Sequence, residues 1–366
     1  MEELHLTDSR MTSRTLPSPG RLLVCAMLIP VVVAVTNQLL LNEISGNYKL
    51  GVLLYPWLAV STAVLSWSAG RYLYPAWLRW TIFAWGLVLL DLLTFIACIS
   101  HRVEFQFGYI LVSAQISLLT LWAILGPGNW QWRLPGVAPL VPLVVIFCGS
   151  FAWAYSSYAA RCWNLMMFVT TPVVIALCGG LRYLGFALRD PTSDAEGAGG
   201  SGHRPSYQFG VKHMLIWLTV TGPLLLLIRS IDFSGRGVFT ASVLAVALAT
   251  VNLIAIWAVL GGGHWLIRMA ALLAAPYLIA QGMTHYSAYL NANITAYATP
   301  NTSRGYGTIA WSLVEMEKLW TTWLWLDAAL LAALLLFLRA IGYRLMRGGQ
   351  LSSEPSAAAS PSTPNS

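Results

Sequence analysis

"LWAILGPGNWQWR" at 121–133 and "IWAVLGGGHWLIR" at 256–268 are two versions of one phrase, set 135 residues apart. They share Trp122/Trp257, Ala123/Ala258, Leu125/Leu260, Gly126/Gly261, Gly128/Gly263, Trp130/Trp265 and Arg133/Arg268. An apolar run, two glycines, a tryptophan and an arginine follow in the same order each time. The phrase therefore reads as the end of one helix, a tight turn and the start of another. Gly126 and Gly261 are expected to end their helices in the left-handed conformation, which costs glycine no Cβ clash. Gly128 and Gly263 belong to the same cap. Trp130 and Trp265 suit a headgroup layer, apolar in body with one N–H to hydrate. Arg133 and Arg268 fit the excess of positive charge on the inner side of a membrane. A phosphate cradle is not signalled, because a P-loop needs a strand before its glycines and Gly-Lys-Ser/Thr after them. The motif is architectural.

The composition explains why a membrane enters the argument. Of 366 residues 57% are hydrophobic and only 10% charged, with a mean hydropathy of +0.65. A soluble domain carries about 25% charged residues. Apolar runs long enough to cross a bilayer core of about 30 Å recur along the chain. They fall near 22–41, 51–69, 80–99, 108–125, 136–158, 163–181, 213–228, 238–260, 266–284 and 320–341. The first lacks a small-residue cleavage pattern and reads as a retained span. The expected fold is all-α, a polytopic transmembrane helical bundle of about ten spans.

Ten spans place both termini on one side. Alternate loops then carry 14 of the 21 lysines and arginines on the N-terminal side and 7 on the other, which marks the N-terminal side as cytoplasmic. The net charge of +7 is dispersed among short loops rather than gathered on one face, so it reports topology and not nucleic acid. The five cysteines, Cys25, Cys98, Cys148, Cys162 and Cys178, form no CxxC pair and signal neither zinc nor a disulfide framework. No cofactor motif is present either.

A second match gives the recurrence a cause. "LRYLGFALR" at 181–189 is similar to "LRAIGYRLM" at 338–346, sharing Leu181/Leu338, Arg182/Arg339, Gly185/Gly342 and Leu188/Leu345. The offset has grown to 157, and the Tyr-rich stretch at 285–319 is the place for the added residues. That stretch is expected to be a polar outer segment with room for a short surface helix. Two ordered matches point to a duplicated four-helix unit, and an even number of helices makes it a parallel repeat about an axis along the membrane normal. The organisation read this way is a disordered N-terminus at 1–20, two helices within 21–75, a first four-helix repeat at 76–189 and a flexible linker at 190–211. A second four-helix repeat at 212–347 and a disordered tail at 348–366 complete it.

"YQFGVKHMLIWLTV" (207–220), the Leu-Gly-x-Gly-x-Trp ending and "LRAIGYRLMR" resemble segments of uncharacterised multi-spanning membrane proteins of planctomycete bacteria. The resemblance implies a bacterial inner-membrane protein. It brings no activity, cofactor or catalytic residue with it.

Chemistry is sparse. Asp91 in "LVLLDLLTF" and Asp327 in "TWLWLDAALL" lie inside expected spans, where an aspartate costs about 2.5–3.5 kcal/mol on insertion scales. They are candidates for an intramembrane ion site, or for interhelical hydrogen bonds to Gln115, Asn252 or Asn37. Pro30, Pro142, Pro172, Pro223 and Pro276 interrupt spans, either as kinks or as breaks that expose backbone to an ion. Glu315 and Glu317 sit just before the last span, as a cation-attracting mouth or as a solvated helix entrance. HExxH, a nucleophile elbow and a Walker lysine are all missing. Three functions follow from these features. A transporter-like protein would carry a small solute or ion between the repeats, a scaffold would use its loops and tails on protein partners, and a membrane-embedded enzyme would need polar residues this chain spreads thinly.

Overall fold

The computed structural model describes residues 48–72, 76–99, 106–127, 130–137, 157–189, 235–297 and 313–347, with isolated positions between 28 and 36 and at 140. Within them lie α1 (Tyr48–Tyr72), α2 (Ala76–Ile99), α3 (Gln106–Leu125), α4 (Trp130–Val137), α5 (Ser157–Tyr183), α6 (Gly235–Leu260), α7 (Trp265–Tyr297) and α8 (Leu313–Ala340). Two short strands, β1 (Phe186–Arg189) and β2 (Arg344–Arg347), follow α5 and α8. The expected spans near 22–41, 136–158 and 213–228 lie largely or wholly outside the described residues, as do the linker and both tails.

Among the described residues, six helices are long and apolar enough to cross a membrane: 77–96, 107–125, 166–183, 243–260, 265–286 and 320–340. Their outer faces support the same environment. Trp85, Val88, Leu92 and Ile96 form an exposed stripe on α2, and Leu266, Ile267, Leu273, Tyr277 and Leu278 do so on α7. Water would not tolerate apolar faces of that extent, whereas lipid tails cover them without cost. The chain fits an integral membrane protein.

Four helices make the centre. α3 and α5 pack together, α6 and α8 pack together, and each pair crosses to the other through α5–α6 and α3–α8. α1 lies against α8, α2 against α1 and α3, and α7 against α6 and α8. Small residues permit the close approaches. A Cβ on Gly70 of α1 would stand 2.6 Å from the Ala340 Cβ and 2.9 Å from the Phe337 carbonyl oxygen. Phe337 in turn stacks on Phe83 of α2, with ring centroids 4.0 Å apart.

The helix ends are built alike. Arg133 Nη2 donates to the Gly126 carbonyl at 2.7 Å, and Arg268 Nη1 donates to the Gly261 carbonyl. Arg182 donates to the Ile124 carbonyl and Arg339 to the Val259 carbonyl. Every helix leaves its last carbonyls without an intrahelical donor, and guanidinium groups supply one here. α8 closes in a Schellman turn, with Tyr343 N–H on Leu338 O and Gly342 N–H on Arg339 O. Gly185 and Gly342 take φ of 89° and 107° to turn the chain from helix into strand.

β1 and β2 then pair antiparallel, with Leu188 opposite Leu345, Ala187 opposite Met346 and Arg189 opposite Arg344. This ribbon was not anticipated. Four-residue strands at span ends give no usable periodicity, and only the partner supplies their hydrogen bonds.

Two expectations need correcting. Gly126 and Gly261 are not left-handed; in the second phrase the positive φ belongs to Gly263, at 93°. Glycine is required at 126 and 261 because a Cβ would stand 2.5 Å from the Trp122 carbonyl oxygen and 2.4 Å from that of Trp257. Of the two alternatives for the prolines, the break does not apply at Pro172 or Pro276, which lie inside continuous α5 and α7. Residues 285–297 are not outer loop, since α7 runs on to Tyr297. Gly128 lies outside the described residues.

Candidate functional site

The two intramembrane aspartates have different surroundings. Asp91 on α2 is partly buried and accepts a 2.7 Å hydrogen bond from Gln115 Nε2 on α3. The bond joins two helices, and Gln115 is one of the partners named for the aspartates from sequence.

Asp327 on α8 is fully buried among the four central helices. Both its carboxylate oxygens are sealed from solvent, and neither receives a hydrogen bond of ordinary geometry. Ser113 of α3 and Asn252 of α6 lie near enough to act on the carboxylate electrostatically without closing such a bond. Asn252 is itself fully buried, and its Nδ2 donates to Ser117 Oγ at 2.9 Å. Its Oδ1 receives nothing from the protein. Three acceptor oxygens on facing helices thus lack a hydrogen bond of ordinary geometry, in surroundings that make each unsatisfied one costly.

Two voids of about 10 Å³ each adjoin this group. One is lined by Asp327, Ser113, Ile110 and Trp323, the other by Ser113, Ser117, Thr170 and Thr171. Ser113 belongs to both. A void of that size admits about one water molecule. Thr170 and Thr171 donate their own hydroxyls to Met166 and Met167 carbonyls, which leaves their oxygens as acceptors facing the same region. The arrangement gathers a few polar side chains beside two water-sized voids in an otherwise apolar core. It suits a proton, a water or a small cation, and nothing larger.

The remaining candidates fall elsewhere. Glu317 accepts from Gln281 Nε2 at 2.5 Å between α7 and α8, so that side chain ties two helices together. Trp265 is exposed at its helix start. Trp130 is half-buried and borders a larger cavity at the ribbon end of α3 and α5. Arg133 and Arg268, read from sequence as topology markers, reach back to cap the preceding helix. Their shared seven-residue spacing from Gly126 and Gly261 was the available signal. Ser113 and Ser117 were missed altogether, because a serine in a transmembrane helix is ordinarily satisfied by its own backbone. Among the described residues, no group of three or more His, Cys, Asp or Glu is placed to hold a metal ion.

Comparison with protein-family models, curated proteins and solved structures returned no match.

Proposed function

We propose that this is a transporter-like membrane protein that moves a proton or small monovalent cation past Asp327, between two halves of a duplicated bundle. The observation that carries the reading is the buried set of Asp327 Oδ1, Asp327 Oδ2 and Asn252 Oδ1, none of which receives a hydrogen bond of ordinary geometry. Buried acids in membrane proteins mark proton and ion pathways, and a proton shared between Asp327 and Asn252 Oδ1 would satisfy this set without further room.

The duplication is supported by contacts between matched residues. Ser117 and Asn252 stand at the 135-residue offset and hydrogen-bond to each other. Leu188 and Leu345 stand at the 157-residue offset and face each other in the ribbon. A residue that meets its own counterpart lies on a two-fold axis, and these two pairs lie at different depths along the helices. Both pairs support an axis along the membrane normal and a parallel repeat. Thr170 is the counterpart of Asp327 at the same offset, so the two halves place a polar side chain at matching positions. About ten spans, cytoplasmic termini and a bacterial inner membrane complete the reading, on the strength of hydropathy, arginine distribution and the resemblance to planctomycete membrane proteins.

The test is ion flux into proteoliposomes under an imposed pH or sodium gradient. Native protein should pass protons or sodium, Asp327→Asn should abolish the flux, and Asp91→Asn should keep it. If native protein passes neither ion, the site is glue between helices and the scaffold reading replaces this one.

A further inference from the structure

The two sides of Asp327 along the bundle are built differently. α3, α5, α6 and α8 all end at the ribbon, since Arg182 reaches the end of α3, Arg339 reaches the end of α6, and β1 pairs with β2. Towards that end α8 carries no polar side chain from Ala328 to Leu338, and Leu330, Leu331, Leu334 and Leu335 are fully buried. Arg339, the next polar residue, lies about 18 Å along the helix from Asp327. Beside this stretch Phe337 packs with Phe83 and Trp80, and Trp122 packs with Trp80 and Tyr343, at ring-centroid separations of 4.0–5.3 Å. A water or ion in such packing would forfeit its hydrogen bonds.

The opposite side is looser. Besides Asp327 and Ser113, the void at the carboxylate is lined by Ile110, Met166, Leu244, Leu248, Trp323 and Leu324. Each of the six precedes the polar residue of its own helix, which is Ser113, Thr170, Asn252 or Asp327. The void therefore extends from Asp327 towards the N-terminal ends of all four helices. One turn before Ser113, Tyr109 donates to Asn164 Oδ1 at 3.0 Å, and Asn164 is half-buried. That bond places polar atoms on this side of the site. The second void lies on the ribbon side of Ser113 and stops at Val174, which is 3% exposed.

One large side chain stands over the looser side. Trp323 lies four residues before Asp327, on the same face of α8, and borders the void. It is half-buried and meets Trp320 edge-on, with centroids 5.2 Å apart. Leu331, four residues after Asp327 on that face, is fully buried. On α6 the same contrast sets Leu248, which lines the void, against Ile256, which does not.

We propose that in this conformation Asp327 exchanges with the aqueous phase at the N-terminal ends of the four central helices and not at the ribbon end, and that Trp323 is the gate on that route. The inference rests on the reading of Asp327 as an ion-handling acid, and its test does not use flux. Detergent-purified protein would be treated with a water-soluble carbodiimide, which modifies a carboxyl group that solvent reaches, and labelling of Asp327 would be followed by peptide mass spectrometry. Trp323→Ala should raise the labelling rate at least about tenfold over native protein, because labelling follows the fraction of time the acid is exposed. Leu248→Ala opens the same void from α6 and should repeat the gain, which carries the test if Trp323→Ala fails to fold. Leu331→Ala and Ile256→Ala remove side chains one turn away on the ribbon side and should stay within about twofold of native protein. Equal acceleration in both pairs, acceleration in the ribbon-side pair alone, or no acceleration in any variant would overturn the route. Acceleration confined to Trp323→Ala and Leu248→Ala in a protein that passes neither protons nor sodium would uphold the route and overturn transport alone.

Discussion

The α3–α5 pair and the α6–α8 pair end identically and are filled differently. Each pair closes with a glycine pressed against a tryptophan carbonyl, an arginine seven residues on that caps that glycine, and a second arginine that reaches across from the partner helix. Between those ends the pairs diverge. α6 and α8 hold Asn252 and Asp327 where α3 and α5 hold Ser117 and Thr170. α5 carries Gly179 and Gly180 and borders a cavity, whereas α8 carries Leu336 and Phe337 and is covered by α1 and α2. The backbone scaffold tolerates little change because its polar groups have no water to fall back on. Side chains within the scaffold differ more freely, one helix pair carrying a buried acid and the other bordering a cavity.

Three sets of substitutions, read by reversible unfolding in mixed micelles, test how alike the two pairs are. The largest loss is expected at the pressed glycines. Gly126→Ala and Gly261→Ala each force a Cβ against backbone and should cost about 3 kcal/mol, the upper part of the overpacking range. Similar losses at both sites support equivalence, and a loss at one alone breaks it. Arg182→Met and Arg339→Met come next, at about 2 kcal/mol each, the value of a hydrogen bond from a charged donor to a carbonyl. A much smaller effect at either position would mean that water or lipid headgroups cap that helix instead. The smallest change is of opposite sign. Gly180→Ala adds a Cβ where nothing lies within 4 Å and should stabilise α5 by about 0.5–1 kcal/mol. A loss there would show that the glycine serves a close contact after all.

Much of the scaffold was legible because membrane helices announce themselves locally. Six expected spans coincide with described helices, and a seventh, near 51–69, falls within α1. The two sequence matches lie at the helix ends where the arginine caps and the ribbon are found. Local character was less informative about purpose. Gly126 looked like a left-handed cap, but its φ is ordinary and its need is steric, set by Trp122 and Arg133. Asp91 and Asp327 were indistinguishable as aspartates in apolar runs, and their difference rests on what stands opposite. Gln115 reaches Asp91, while Ser113 and Asn252 approach Asp327 without bonding it.

Hydropathy, span length and the repeated Gly-Trp-Arg phrases were determined by the sequence itself, because bilayer thickness and helix termination act on contiguous residues. Tertiary structure alone decided which acid is sealed, which arginine caps which helix, and that two four-residue strands meet across 157 residues. Those are properties of pairs. A side chain's partner lies on another helix, and the depth and rotation that bring it there are set by packing among all the helices at once.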